Sequence, residues 1–216
     1  MGVKERRERE KSETRDKILD AARELFVTEG YEGVSMRKVA EKIEYSPTAI
    51  YVHFADKNEL FRELCHQDYA RLAEVFTSSV ISTDPLERLR QIGGIYIDFG
   101  TRNPNHYKFM FMTPHPAHQL DEVDREMKGN PEMDAYAFLK WAVQQAIETG
   151  CFREDVQDAE LISQTLWASV HGVISLHIAK GDDEWVDWRP MRDRAETMLD
   201  VTLRGLRREA KTGKDE

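Results

Sequence analysis

The chain has 216 residues and a net charge of −9, from 31 basic and 40 acidic side chains, which is length enough for a small domain joined to a larger one. No apolar run reaches the ~18 residues of a membrane span, and the charged start Met-Gly-Val-Lys-Glu-Arg-Arg-Glu-Arg-Glu-Lys leads into no apolar segment, so the expectation is a cytoplasmic protein with no membrane partner. Cys65 and Cys151, the only cysteines, fit free thiols rather than a disulfide framework, and the first 60 residues carry 12 basic against 13 acidic groups, so the acid lies mostly elsewhere and does not exclude a polyanion partner at this end.

Residues 1–13 are a mixed-charge run, either a solvated helical extension or an arm that contacts DNA. From Thr14, read as an N-cap, Ile18, Leu19, Ala22, Leu25 and Phe26 recur at helical spacing until Gly30 ends the helix. Residues 35–57 then read as a helix-turn-helix with the start of the helix that follows. Ser35 and Ser46 are each placed to cap a short helix, and each is bracketed by an N′/N4 apolar pair, Val34 with Val39 and Tyr45 with Ile50. Pro47 falls at N1, where its fixed φ helps and its missing amide costs nothing. Val39, Ala40 and Ile43 share one face of the first helix, and Ile50 and Phe54 one face of the second. Outward at the start of the second helix stand Thr48 and Ala49, short enough to let it sit deep in a major groove and touch base edges. Tyr51, His53 and Lys57 follow as donors suited to phosphates. With Ser35, Tyr45 and Ser46 at its borders, this is the candidate DNA surface, and Arg6, Arg7, Arg9, Arg37, Lys38 and Lys57 are the local cations it could draw on.

Asp56 with Glu59 opens a fourth helix carrying Leu60, Phe61, Leu64, Leu72, Val75 and Phe76. Asp84-Pro85 opens a fifth, with Leu86, Leu89, Ile92, Ile95, Tyr96 and Phe99 inward and Gly93-Gly94 as a weak point or a close contact, ending near Asn103-Pro104. Residues 104–118 form a short aromatic and methionine-rich piece, and residues 121–128 an acidic one before the break at Gly129-Asn130-Pro131. The next long helix carries Tyr136, Phe138, Trp141, Ala142, Gln145 and Ile147 and closes at Gly150. Residues 159–179 are apolar on more than one face, which requires burial on both sides, whereas the last helix shows a single stripe of Met191, Ala195, Met198, Leu199, Thr202 and Leu206. These last two are the predicted homodimer pair, through Leu166, Val170, Val173, Ile174, Met198 and Thr202, since two helices from each subunit would make a four-helix bundle. A polar tail, residues 209–216, is expected to be mobile.

The run Ile-Tyr-Val-His-Phe-Ala-Asp-Lys-Asn-Glu-Leu after the helix pair, with Ile-Leu-Asp-Ala-Ala-Arg-Glu-Leu-Phe-Val-Thr-Glu-Gly-Tyr-Glu-Gly-Val-Ser at residues 18–35, resembles the DNA-binding domain of the tetracycline-repressor (TetR) family. Trp167-x-x-x-His171-Gly172 is similar to a Trp-His-Gly signature in one subset of that family's C-terminal domains. The resemblance implies an all-α fold: a three-helix N-terminal helix-turn-helix domain (residues 1–57) plus a larger helical effector-binding and dimerisation domain (residues 58–208). It implies a non-enzymatic transcriptional repressor, released from a palindromic operator by a small effector, with no cofactor. It also gives Arg37 a base or phosphate contact. The family usually has glycine where this chain has Glu44, a turn position that tends toward left-handed backbone.

For the effector, Tyr96, Phe99, Tyr107, Met110, Phe138, Trp141, Trp167 and His171 are the candidate lining, each of which could equally be core filling. Aromatic and thioether walls suit an apolar or aromatic ligand. The alternative from another class is an all-helical metal-dependent enzyme or metal-binding protein. It would use His115-x-x-His118 with Asp121 or Glu122, or the acidic run Asp182-Asp183-Glu184 with Asp187.

Overall fold

The computed structural model describes residues 2–116 and 120–208. Among the described residues ten helices follow one another: α1 (Val3–Gly33), α2 (Met36–Lys42), α3 (Pro47–Tyr51), α4 (Lys57–Ser79), α5 (Pro85–Arg102), α6 (Pro104–Phe111), α7 (Glu122–Met127), α8 (Ala135–Glu148), α9 (Ala159–Lys180) and α10 (Met191–Leu206). The polar tail and His118 lie outside the described residues. No described helix is long and apolar enough to cross a membrane. The chain divides into two compact units, Met1–Tyr69 with Asn103–Leu120, and Ala70–Arg102 with Asp121–Glu216.

In the first unit α1 packs on α2 and α6, and α2 on α3. The predicted start at Thr14 is corrected. The helix already runs from Val3, and the Thr14 hydroxyl donates to the Glu10 carbonyl at 2.8 Å inside it rather than capping anything. Three i,i+4 pairs, Lys4–Glu8, Arg6–Glu10 and Arg9–Glu13, support the extension. Gly30 breaks α1 at φ 71°, so the turn to Gly33 leaves the helix axis. The core is aromatic: Phe61 meets Phe26 and Phe109 edge-on at 5.0 and 5.2 Å, and Tyr107 and Phe109 of α6 are fully buried. Beneath it lies a charged pair. Arg23 of α1 donates from Nε and Nη2 to the two carboxylate oxygens of Asp68, both at 2.9 Å, and His106 Nδ1 sits 2.9 Å from Asp68 Oδ1. Their side chains are 6% and 2% exposed.

In the second unit α5 lies against α8, α9 and α10, and α9 against α8 and α10. Three of its helices start at an aspartate. Asp84 accepts the Glu87 amide ahead of Pro85, and Asp134 and Asp158 cap α8 and α9. The core is built from Leu89, Ile92 and Phe99 of α5, Ala142, Val143 and Ala146 of α8, Ile162, Leu166, Val170 and Ile174 of α9, and Ala195, Leu199 and Leu203 of α10. Gly93 is the close contact of the Gly93-Gly94 pair, for a methyl group there would run into Leu199 Cδ2, while one on Gly94 would meet open space. After α10 the chain pairs with the segment following α8. Arg153 N donates to Leu206 O at 3.0 Å and Arg208 N to Cys151 O at 2.9 Å, around an isolated antiparallel bridge between Phe152 and Arg207.

Candidate nucleic-acid interface

The helix-turn-helix is assembled from its caps inward. Ser35 Oγ accepts the Lys38 amide and Ser46 Oγ the Ala49 amide, each at 3.2 Å, and Pro47 opens α3. Between the helices Tyr45 N donates to Ala40 O at 2.9 Å and Glu44 N to Glu41 O at 3.2 Å, a Schellman closure that requires left-handed backbone at Glu44, whose φ is 61°. Val39, Ala40, Ile50 and Phe54 are fully buried behind this turn, which anchors α3 by its inner face. Burial of Phe54 contributes about 1.5–3 kcal/mol by its area alone, and the Arg15 guanidinium lies 4.8 Å over its ring.

What faces outward is Thr48, Tyr51 and, at 68% exposure, Val52, with Ser35, Arg37, Tyr45 and Ser46 also exposed and Ala49 half-buried. Val52 was missed by the sequence reading, although the Ile50-x-x-x-Phe54 spacing alone sets it on the opposite face of the helix. The named cations are not all equally available. Arg37 Nε is paired with Glu41 at 2.8 Å, and Lys38 Nζ with Glu29 at 2.5 Å and the Gly33 carbonyl at 2.8 Å. Lys57 Nζ donates to the Tyr31 carbonyl at 2.9 Å and stands 4.1 Å over the Tyr31 ring, so it ties α4 to α1 while two of its three donors remain. His53 is half-buried, and its Nδ1 is shielded from solvent without a partner. Burial first, then the charges of Lys11 and Arg15, hold its pKa below the usual histidine range, so at neutral pH it meets a ligand as a neutral donor and not as a cation.

The candidate effector residues fall in both units. Tyr107 and Met110 belong to the first, buried; Tyr96, Phe99, Phe138, Trp141, Trp167 and His171 belong to the second. Trp167 Nε1 donates to the Tyr96 hydroxyl at 2.9 Å, and the Trp167 ring lies 5.8 Å from Tyr136. Burial lowers the His171 pKa. Beside this group is a polar set that the sequence did not announce. The Tyr136 hydroxyl donates to Glu160 Oε1 at 2.6 Å, and Lys140 Nζ pairs with Glu160 Oε2 at 2.6 Å. Burial, then the bond to Glu160, pushes Tyr136 up to about 12; the bonds from Lys140 and Tyr136 hold Glu160 down to about 2.

Of the expected dimer face, Leu166, Val170 and Ile174 are buried within the single chain. Val173, Met198 and Thr202 are half-buried, and the face that α9 and α10 leave open instead carries Leu161 (61% exposed), Leu176 (50%) and Val201 (64%). The metal reading loses its parts separately. His115 Nε2 is 2.8 Å from the Phe109 carbonyl and its intended partner His118 is not described; Asp183 is held by Lys180 at 3.2 Å and Asp187 by Arg189 at 3.1 Å.

Two family models match the chain: "Bacterial regulatory proteins, tetR family" over residues 18–64 and "Tetracyclin repressor-like, C-terminal domain" over residues 89–206. The chain belongs to the tetR family. The tetR family is one of regulators, not of enzymes. Residues of this chain are 46% identical over 66 positions to the HTH-type transcriptional repressor AcnR of Corynebacterium diphtheriae, covering 31% of this chain and 35% of that protein. The match thus spans about a third of that relative's length. Similarity to the HTH-type transcriptional regulator TtgR of Pseudomonas putida is lower, 26%, but extends over 84% of this chain and 92% of TtgR. A tetR family transcription regulator from Marinobacter aquaeolei superposes with a TM-score of 0.73 at 19% identity, covering 95% of this chain and all of that one. PfmR from Thermus thermophilus gives 0.68 at 24% identity over 90% and 98%. Both structures show the tetR fold.

Proposed function

We propose that this tetR family member is a ligand-responsive, DNA-binding transcription regulator of the cytoplasm, acting as a homodimeric repressor on a near-palindromic operator. The observation that carries this reading is α3: capped by Ser46, anchored by Ile50 and Phe54, and presenting Thr48, Tyr51 and Val52 to solvent within the segment that matches the family's N-terminal model. Residues 1–57 act as the DNA-binding head and residues 58–208 as the effector and dimerisation region. Thr48, Ala49 and Val52 read base edges and thymine methyls, while Ser35, Arg37, Tyr45, Ser46, Tyr51, His53 and Lys57 hold phosphates. AcnR carries the name of a repressor, which favours repression here.

The second copy docks on the open face of α9 and α10, around Leu161, Leu176, Val201 and Met198, forming a four-helix bundle. A two-fold axis then sets two α3 helices in successive major grooves about 34–36 Å apart or a small multiple of that. The effector is apolar or aromatic, taken by the group around Tyr96, Phe138, Trp141, Trp167 and His171. It acts only through a difference in its affinity for two arrangements of the protein, felt at the DNA surface through α4.

The test is a band-shift titration on DNA from upstream of the protein's own gene. Tyr51→Phe with Lys57→Ala is expected to weaken binding to every sequence and flatten its salt dependence, and Thr48→Ala to change which sequence is preferred. Parent-like binding by both variants would remove α3 from the interface.

A further inference from the structure

The charges on the first four turns of α1 are sorted. Lys4, Arg6 and Arg9 each face an acid four residues on, at Glu8, Glu10 and Glu13. Arg7 and Lys11 do not. The row Arg7, Lys11, Arg15 is cationic at every i,i+4 step, an arrangement that destabilises a helix where an acid at the same spacing would stabilise it. Arg15 is held by Glu63 at 2.8 Å, whereas Arg7 and Lys11 are exposed and, among the described residues, without a partner.

The row also has a direction. It is in helical register with Ile18 and Ala22 on the buried face of α1, so the helix carries that face past the end of the core. It leaves the core at Arg15, whose guanidinium covers Phe54, the residue next to His53 just after α3. The row thus runs toward the end of α3, where the charges of both Lys11 and Arg15 reach the ring of His53.

We propose that Arg7 and Lys11 form a phosphate clamp on the duplex flanking the bases read by α3, with the acid-paired Arg6 and Arg9 taking no part. The charge complementarity is specific to this row, and from Arg7 to Arg15 it extends ~12 Å along the helix, enough to follow several phosphates of one strand. The inference rests on the DNA-binding reading above.

The experiment measures binding of the full chain to a fluorescent 24-base-pair duplex of random sequence by anisotropy, across a salt series. Arg7→Gln/Lys11→Gln is expected to lower the slope of log K against log salt by about 1.8 per protomer, two phosphate contacts at ~0.9 each. Arg6→Gln/Arg9→Gln, the same change in charge on the paired rows, is expected to leave the slope as in the parent. Circular dichroism confirms that both variants keep the parent's helix content. A parent slope retained by the Arg7/Lys11 variant overturns the clamp and leaves the DNA-binding reading standing, and equal losses in the two variants overturn it in favour of a diffuse charge effect. A parent that binds no duplex at any salt overturns both.

Discussion

The buried pair of Arg23 and Asp68 gives the sharpest energetic prediction. Replacing Asp68 by alanine leaves a guanidinium that is 6% exposed with neither of its two 2.9 Å acceptors. Asp20 accepts from Nη1 at 2.7 Å, but its side chain is 75% exposed, so solvent screens its charge and it compensates the guanidinium far less than Asp68 does. Breaking a buried pair from one side costs about 3–5 kcal/mol, a large share of the about 5–15 kcal/mol by which a domain is stable. In a chain of this size that corresponds to a fall in Tm of roughly 6–20 °C. His106, the third partner, is partly exposed and can turn to water, so it adds little. Urea unfolding at neutral pH, followed by circular dichroism, measures the loss. The companion variant Arg23→Met/Asp68→Leu removes both charges at similar volume and is expected to lie within about 1 kcal/mol of the parent. A cost under about 1 kcal/mol for Asp68→Ala, or a double variant worse than the single one, would refute the assignment of that pair as a desolvated, mutually dependent contact.

Three further outcomes follow from the backbone and from the open face. Glu44→Gly relieves a left-handed residue worth about 1–2 kcal/mol against ~0.4–1 kcal/mol of added freedom in the unfolded chain, so Tm is expected to rise by a degree or more; an unchanged or lower value would contradict the Schellman closure. The adjacent glycines of α5 should respond differently in thermal unfolding: Gly94→Ala is stabilising by up to ~1 kcal/mol through helix propensity alone, whereas at Gly93 the same gain is offset by a methyl that overpacks the core against Leu199 by about 1–3 kcal/mol, so Gly93→Ala is expected to cost up to about 2 kcal/mol net. Val201→Glu is expected to give folded monomers in sedimentation, whereas Leu166→Glu, which inserts a carboxylate into the chain's own core, is expected to unfold the second unit; dimers that persist in Val201→Glu would move the interface elsewhere.

The parts that could be read from the sequence were those governed by local rules. Serine, proline and a turn residue at fixed offsets define α2 and α3 because capping involves atoms only three residues apart, and the caps are where they were expected. The extension of α1 before Thr14 could be read from its mixed charges as a solvated helix, but the false cap at Thr14 could not be told from an interior threonine, since charge pairs at i,i+4 and not an apolar stripe support that part. α6 was legible only as an aromatic fragment between prolines. That Tyr107 and Phe109 complete the core against α1 depends on contacts some 80 residues apart in sequence. The apolar circumference of α9 announced burial on two sides but could not say which side belongs to its own chain, where Leu166, Val170 and Ile174 are buried. Arg23 and Asp68 lie 45 positions apart, so neither could name its partner.

The short clasp after α10 has a practical corollary for anyone handling the protein. Because Arg208 N still bonds Cys151 O, a purification tag or fluorescent fusion that follows residue 208 keeps both bonds of that hem, whereas trimming back to residue 206 leaves only the one from Arg153 N to Leu206 O.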